Sequence, residues 1–110
     1  MKEHLIKRGA YAEIIWGGGF QASGIPDILA CYKGRFLGLE VKLEYNKPSK
    51  IQEVKLEMIN RSGGVGRVVR SVDEVEEVLA MIDKEEESKL RRLKLALNSQ
   101  YGMINEEEEK

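Results

Sequence analysis

The sequence predicts a mixed α/β fold: an antiparallel meander of strands, extended by one parallel strand and flanked by helices. Three observations predict it. Residues 27–43 read as two apolar-rich strands joined by a glycine-containing turn, Lys33-Gly34-Arg35. A helical pattern between Ser49 and Gly63-Gly64 separates that hairpin from a further short strand at 65–70. Strand, helix and strand make a right-handed crossover when the two strands lie parallel in one sheet.

Taken in order, residues 2–8 give a short helix that Gly9 ends, and residues 10–16 read as a strand finishing in Ile14-Ile15-Trp16. Residues 17–24 are a loop with four glycines and two small residues, a composition that permits close approach to a ligand and equally suits a plain connector. Phe20 in that loop suits a core contact or a base stack. Asp27 opens the first hairpin strand and residues 36–43 form the second. Ser49-Lys50-Ile51-Gln52 is a capping box, after which Ile51, Val54, Met58 and Ile59 recur at helical spacing. Ser71-Val72-Asp73-Glu74 is a second such box, followed by an apolar stripe of Val72, Val75, Val78, Leu79 and Ile82. From Asp83 the composition turns charged. Leu90, Leu93 and Leu97 then predict a separate helix ending near Ser99, with an acidic end at 106–109 expected to be disordered. The expected division is a domain over 1–82 and a C-terminal helix and tail over 83–110, packed on that domain or on a partner copy.

The bulk properties narrow the function classes. A chain of 110 residues with 42% hydrophobic and 34% charged residues suits one soluble globular domain. No apolar run is long enough to span a membrane and no signal peptide opens the chain, so a cytoplasmic setting and no membrane partner are expected. The single cysteine, Cys31, excludes an internal disulfide and is expected as a buried, inert thiol. With no Cys–His pair or serine triad, and with His4 the sole histidine and expected at the surface, nucleophilic side-chain catalysis has no candidate. The net charge of −1 conceals an uneven distribution: residues 33–70 hold nine Lys/Arg against four Glu. Such a patch suits phosphate contacts, although ordinary solvated lysines read the same way.

The chemistry concentrates on the hairpin. On the second strand Leu37, Leu39, Val41 and Leu43 share one face, and Phe36, Gly38, Glu40 and Lys42 share the other. Twelve residues separate Asp27 from Glu40, so a short turn lets the two carboxylates meet across the ladder. Two carboxylates held together repel unless one is protonated or a cation bridges them. Mg²⁺ takes oxygen ligands, often only one or two carboxylates, and keeps several waters. Taken singly, these residues have bland readings: an edge strand's charged face for Glu40 and Lys42, a turn residue for Asp27, a helix cap for Gln52.

Taken jointly, they resemble a family. Pro26-Asp27, then Glu40-Val41-Lys42, then Gln52 is similar to the active site of PD-(D/E)XK nucleases. The stretch from Gly17-Gly18-Gly19-Phe20-Gln21-Ala22-Ser23-Gly24 through Glu40-Val41-Lys42, Lys47-Pro48-Ser49-Lys50-Ile51-Gln52 and Gly63-Gly64-Val65-Gly66-Arg67-Val68-Val69-Arg70-Ser71 resembles the stand-alone, virus-type VRR-NUC nucleases. The resemblance covers about residues 9–82. It implies a restriction-endonuclease-like core and an Mg²⁺- or Mn²⁺-dependent endodeoxyribonuclease. Asp27, Glu40 and the Val41 carbonyl would be metal ligands, and Asp27, Glu40, Lys42 and Gln52 the catalytic set. DNA contacts would come from Lys33, Arg35, Lys47, Lys50 and Lys55, with Gln21 and Ser23 in the glycine loop. A homodimer acting on branched DNA such as a four-way junction is the leading specific reading. A flap, nick or duplex nuclease and an inactive DNA-binding module of the same fold are the alternatives. A small interaction domain is a third. One departure stands out: similar proteins carry a longer first helix with an acidic metal ligand. Here Glu3 is the candidate in that segment, with Glu13 a weaker substitute.

Overall fold

The structure is a computed structural model of the chain and describes residues 1–15 and 23–101. Seven elements follow in the order α1 (Lys2–Lys7), β1 (Tyr11–Ile14), β2 (Ile28–Tyr32), β3 (Arg35–Val41), α2 (Lys50–Arg61), β4 (Val65–Val69) and α3 (Val72–Tyr101). The sheet order is β1-β2-β3-β4. β1, β2 and β3 run antiparallel and β4 lies parallel to β3, the mixed sheet the sequence predicts. The hairpin turn is two residues long. Lys33 (φ 49°) and Gly34 (φ 80°) both take the left-handed conformation that matches the twist of the flanking strands, and Tyr32 pairs with Arg35.

The register divides the sheet into two faces. Ala12, Ala30, Leu37 and Val65 share one rung and face, together with Ile28 and Leu39 two residues along their strands and Val69 four residues along its own. This face is the apolar core: all seven are buried, as are Leu5 of α1 and Val75, Val78 and Leu79 at the start of α3. A fully buried leucine or valine is worth about 1.5–3 kcal/mol over an exposed one, so these positions dominate stability. Polar contacts tie the covering helices together at the rim. The Arg8 guanidinium donates to both carboxylate oxygens of Glu76 (2.8 and 3.0 Å) and to the Tyr32 hydroxyl (3.0 Å), and His4 Nε2 lies 2.8 Å from Glu76 Oε1. His4 is therefore half-buried and partnered rather than a loose surface residue.

α2 covers the opposite face, where Gly38 and Gly66 form one rung. A Cβ on Gly66 would run into the backbone carbonyl of Leu56, so the helix lies on bare sheet backbone there. Ser49 caps α2, and the predicted capping box is present in both directions.

Several expectations fail, each for a local reason. Leu56 is the buried residue of α2, whereas Ile51, Val54 and Met58 are about half exposed. Gln52, Leu56 and Ile59 also recur at helical spacing, and that stripe faces the sheet. β3 stops at Val41, so Leu43 never joins the buried face and is 77% exposed. Cys31 is exposed: it pairs with Phe36 toward the hairpin tip, on the face shared with Gly38 and Glu40, and Phe36 is itself half exposed. Val72 is likewise partly exposed. The separate helix expected after Asp83 is a continuation of α3, because Lys, Glu and Leu are good helix formers and no Gly or Pro interrupts them. The chain divides into two compact units, Met1–Leu79 and Ala80–Lys110, so α3 starts in one and supplies the described part of the other. Within the second unit Leu90 and Leu93 are exposed. Among the described residues no helix is long and apolar enough to cross a membrane. Trp16, Phe20, Gln21 and the acidic end at 106–109 lie outside the described residues.

Candidate active site

The hairpin register places Asp27 and Glu40 together. Ile28 pairs with Leu39, so the next rung sets Asp27 opposite Glu40. Asp27 is fixed by the backbone beyond that rung, since the Val41 N–H donates to its Oδ2 at 2.9 Å. Glu40 is 2% exposed, the buried charged side chain of the described core. Its two oxygens are treated differently. Gln52 Nε2 donates to Oε1 at 3.0 Å and Lys42 Nζ lies 3.9 Å from the same atom, whereas Oε2 is buried with no hydrogen-bond partner.

Gln52 does two jobs with one amide. Its Oε1 accepts from the Ser49 N–H at 2.8 Å, completing the cap, while its Nε2 holds Glu40. The cap and the site readings of Gln52 therefore hold together: a residue on the first helical turn is fixed by its own backbone and points its donor into the cleft. Lys42 sits just past β3. Its N–H donates to the Val69 carbonyl at 3.1 Å, continuing the parallel ladder and setting the direction of its side chain.

The electrostatics follow from this packing. Burial first, then the neighbouring Asp27 carboxyl, push the Glu40 carboxyl up to about 7 against the opposing pull of Lys42. The protein has thus placed a proton-hungry oxygen beside a second carboxylate and left it without a donor. Among the described residues no group of three or more His, Cys, Asp or Glu converges on one point. A cation here would take two carboxylates and the adjacent Val41 carbonyl, with water and substrate oxygens filling the rest of its shell. That donor set is all oxygen, and the orphaned Glu40 Oε2 is the position a hard divalent cation would satisfy.

No family model and no curated protein matches the chain. Among solved structures, a VRR_NUC domain is similar at 28% identity, over 72% of this chain and 85% of that one, with a TM-score of 0.59. The chain has a VRR-NUC-like fold. A looser likeness, 24% identity over 64% of each chain with a TM-score of 0.46, is to Hjc of Archaeoglobus fulgidus, described as a Holliday junction resolvase from an archaeal hyperthermophile.

On this VRR-NUC-like fold the remaining predicted residues scatter. Glu3 lies outside the cluster: its side chain is 92% exposed and pairs with the N-terminal ammonium at 3.5 Å. Glu13 faces Lys2 across 4.0 Å on β1, two strands from Glu40. Lys33 and Arg35 sit at the hairpin tip, Lys33 six residues from Asp27 along the strand and Arg35 opposite Tyr32, five residues from it, or roughly 17–20 Å at ~3.3 Å per residue. Lys33 lies 5.4 Å from the centre of the Tyr32 ring there. Lys47 and Lys50 flank the cap of α2 and are exposed on the Gln52 side of the site. Lys55, one turn along, lines a groove with Ile25, Pro26, Leu29 and Phe36. Ser23 is exposed just before Gly24, and Gln21 lies outside the described residues. Sequence reading missed Arg70, which follows β4 and donates to three carbonyls of the loop after Lys42. Only the topology, which sets β4 beside β3, brings it there.

Proposed function

We propose that the protein is a metal-dependent endonuclease that hydrolyses DNA phosphodiester bonds at the Asp27–Glu40–Lys42–Gln52 cluster. The observation that carries this reading is the buried Glu40, neighbour to the Asp27 carboxyl: one oxygen is held by Gln52 and lies near Lys42, and the other is unpartnered. A purely structural carboxylate has its oxygens satisfied. The likeness to a VRR_NUC domain supports the same reading.

Asp27 and Glu40, with the Val41 carbonyl, would hold Mg²⁺ or Mn²⁺. Such an ion, when bound, supplies Lewis acidity at the phosphate and lowers the pKa of water. The chain's own residues do the rest. The Val41 N–H fixes the Asp27 carboxylate in one orientation. Gln52, itself held by the helix cap, donates to Glu40 and orients its carboxylate. Lys42 lies 3.9 Å from the Gln52-bound oxygen of Glu40; as an ammonium it would orient the attacking water and offset charge on the phosphate oxygens, and as the neutral amine it would accept the water's proton. Lys47 and Lys50 beside the α2 cap, and Lys55 in the groove with Pro26 and Phe36, would take the DNA backbone.

The finer reading is a homodimer acting on branched DNA. It is supported by the outer stripe of α2, where Ile51, Val54 and Met58 stay about half exposed and suit a second copy; two sites related by a two-fold axis suit paired cuts. The test is cleavage of a labelled four-way junction and its matched linear duplex with Mg²⁺ or Mn²⁺, beside Asp27→Asn. Paired cuts on the junction that vanish in the variant support the whole reading. Equal cutting of both substrates removes the junction preference. Binding without cutting by the wild type replaces the enzyme with a DNA-binding module.

A further inference from the structure

One loop joins a site residue to the cap of another. Lys42 begins it, and Ser49, whose cap fixes Gln52, ends it. The large apolar side chains of its turn do not anchor it: Leu43 is 77% and Tyr45 88% exposed. Its backbone makes one turn, the Asn46 N–H donating to the Leu43 carbonyl at 3.0 Å. Three carbonyls of the turn converge on Arg70. A single nitrogen, Nη1, donates to the Leu43 carbonyl at 2.6 Å and the Asn46 carbonyl at 2.7 Å, and lies 3.3 Å from the Glu44 carbonyl. Two hydrogens on that nitrogen match the two short bonds, and a cationic donor makes them stronger than neutral ones. Arg70 directly follows Val69, whose carbonyl takes the Lys42 N–H. One short piece of β4 thus holds Lys42 by its backbone and the following turn by its guanidinium.

We infer that Arg70 is a positioning residue of the active site, locking the 43–46 turn so that Lys42 and Gln52 address Glu40 together. This rests on the nuclease reading for its catalytic consequence but not for its structural one. Arg70 is exposed, so the competing role is a direct contact to a DNA phosphate. The two roles separate in kinetics: a positioning residue affects kcat, whereas a phosphate contact affects KM and its salt dependence.

The test uses the full chain with Arg70→Ala and Arg70→Lys. Lysine keeps the charge and the donors but is one bond shorter. Without DNA, amide exchange at residues 43–49 should speed up at least tenfold in Arg70→Ala, with β1 and β2 unchanged. The Gln52 side-chain amide resonance should shift, and Arg70→Lys should restore part of both. With a DNA substrate, kcat should fall roughly 10–100-fold at nearly constant KM, the loss expected when a reacting group is misplaced by about an ångström. Unchanged exchange and an unmoved Gln52 resonance would overturn the inference. So would a raised KM with constant kcat and a salt slope shallower by about one charge. A wild type that cuts nothing would remove the nuclease reading alone, because the exchange and the Gln52 resonance still decide whether Arg70 sets the site's geometry.

Discussion

Glu40 and Glu76 are the same side chain put to opposite uses. Glu76 is partly exposed and fully engaged. Arg8 grips both of its oxygens and His4 one of them, and these partners pull its carboxyl down to about 2. Glu40 is buried, has one oxygen unpartnered, and is pushed up to about 7 by that burial and by Asp27. The Glu76 cluster is complete as it stands: its charges balance, and it fastens α1 to the first turns of α3 over Tyr32. The Glu40 cluster is incomplete as it stands. A proton or a cation must be added before its charges balance. A buried carboxylate that its own fold leaves wanting a partner marks a binding site, whereas one saturated by arginine marks a fastening.

The largest expected effects lie on the incomplete side. Lys42→Ala should cut the cleavage rate by roughly 10²–10⁴-fold, the range for losing a general acid–base group. Metal binding, followed by calorimetry, should survive in that variant. Asp27→Asn should abolish both cleavage and metal binding, because it removes a ligand and its charge. Metal binding retained in Asp27→Asn would mean that Asp27 is held by Val41 for structure alone.

The second expected effect is a pH-dependent response to metal. The Glu40 pKa is raised from an ordinary 4.5 to about 7. The sign follows: the folded apoprotein keeps this proton more tightly than the unfolded chain. The contribution of Glu40 to stability is therefore fully present below about 4.5 and lost as pH rises through 7. A divalent cation competes with the same proton. Mg²⁺ or Mn²⁺ should thus raise the melting midpoint more at pH 8 than at pH 6. Glu40→Gln should melt higher than the wild type in chelator at pH 8, by roughly 4–8 °C, the shift that about 1 kcal/mol brings in a small domain, and should lose the response to metal. A metal response independent of pH would place the cation elsewhere.

How much of this was legible follows from which constraints are local. The hairpin, its glycine-containing turn and the Asp27–Glu40 rung follow from period-two alternation plus a glycine turn, and both are local rules; the turn is one residue shorter than its sequence reading, because Arg35 pairs with Tyr32 and begins β3. The capping box at Ser49 and Gln52 was legible for the same reason. What failed depended on neighbours distant in sequence. α2 carries two overlapping helical stripes, and choosing the one with Leu56 requires knowing that Gly38 and Gly66 bring the sheet against it. That choice also aims Gln52 at Glu40. Cys31 looked buried because its strand is apolar, yet it lies toward the hairpin tip beside an exposed Phe36. Lys33 and Arg35 are close to Asp27 in sequence and far from it in space, since a hairpin carries its turn away from the strand's start. Arg70 left no local signal, as its partners lie 24 to 27 residues earlier.

Gln52 tests whether the cap and the site are one device. Gln52→Ala removes both hydrogen bonds. It should cost about 1 kcal/mol in chemical denaturation, typical of a lost helix cap, and reduce cleavage as well. Gln52→Glu should separate the two. Glutamate is as good a capping-box residue as glutamine, but it replaces the donor to Glu40 with a third carboxylate. Stability in the cap should be kept while cleavage falls and metal affinity changes. Wild-type cleavage in Gln52→Glu would reduce Gln52 to a cap.

The smallest expected effect on function is at Glu76, and it completes the contrast. Glu76→Gln keeps the size and the acceptor oxygen but removes the charge that Arg8 and His4 share. Cleavage should stay within about twofold of wild type, since Glu76 touches none of Asp27, Glu40, Lys42 or Gln52. The difference should appear in acid. A carboxyl depressed to about 2 contributes stability above its ordinary 4.5 and loses it as pH falls toward 2. Wild type should therefore melt above Glu76→Gln at neutral pH, and the two curves should converge as the buffer is taken down through that window. Because the pair is partly exposed, moderate salt should also narrow the gap. A Glu76→Gln variant that melts normally but cuts poorly would break the contrast. It would show that the saturated cluster, through α1 and Tyr32, also sets the geometry of the unsaturated one.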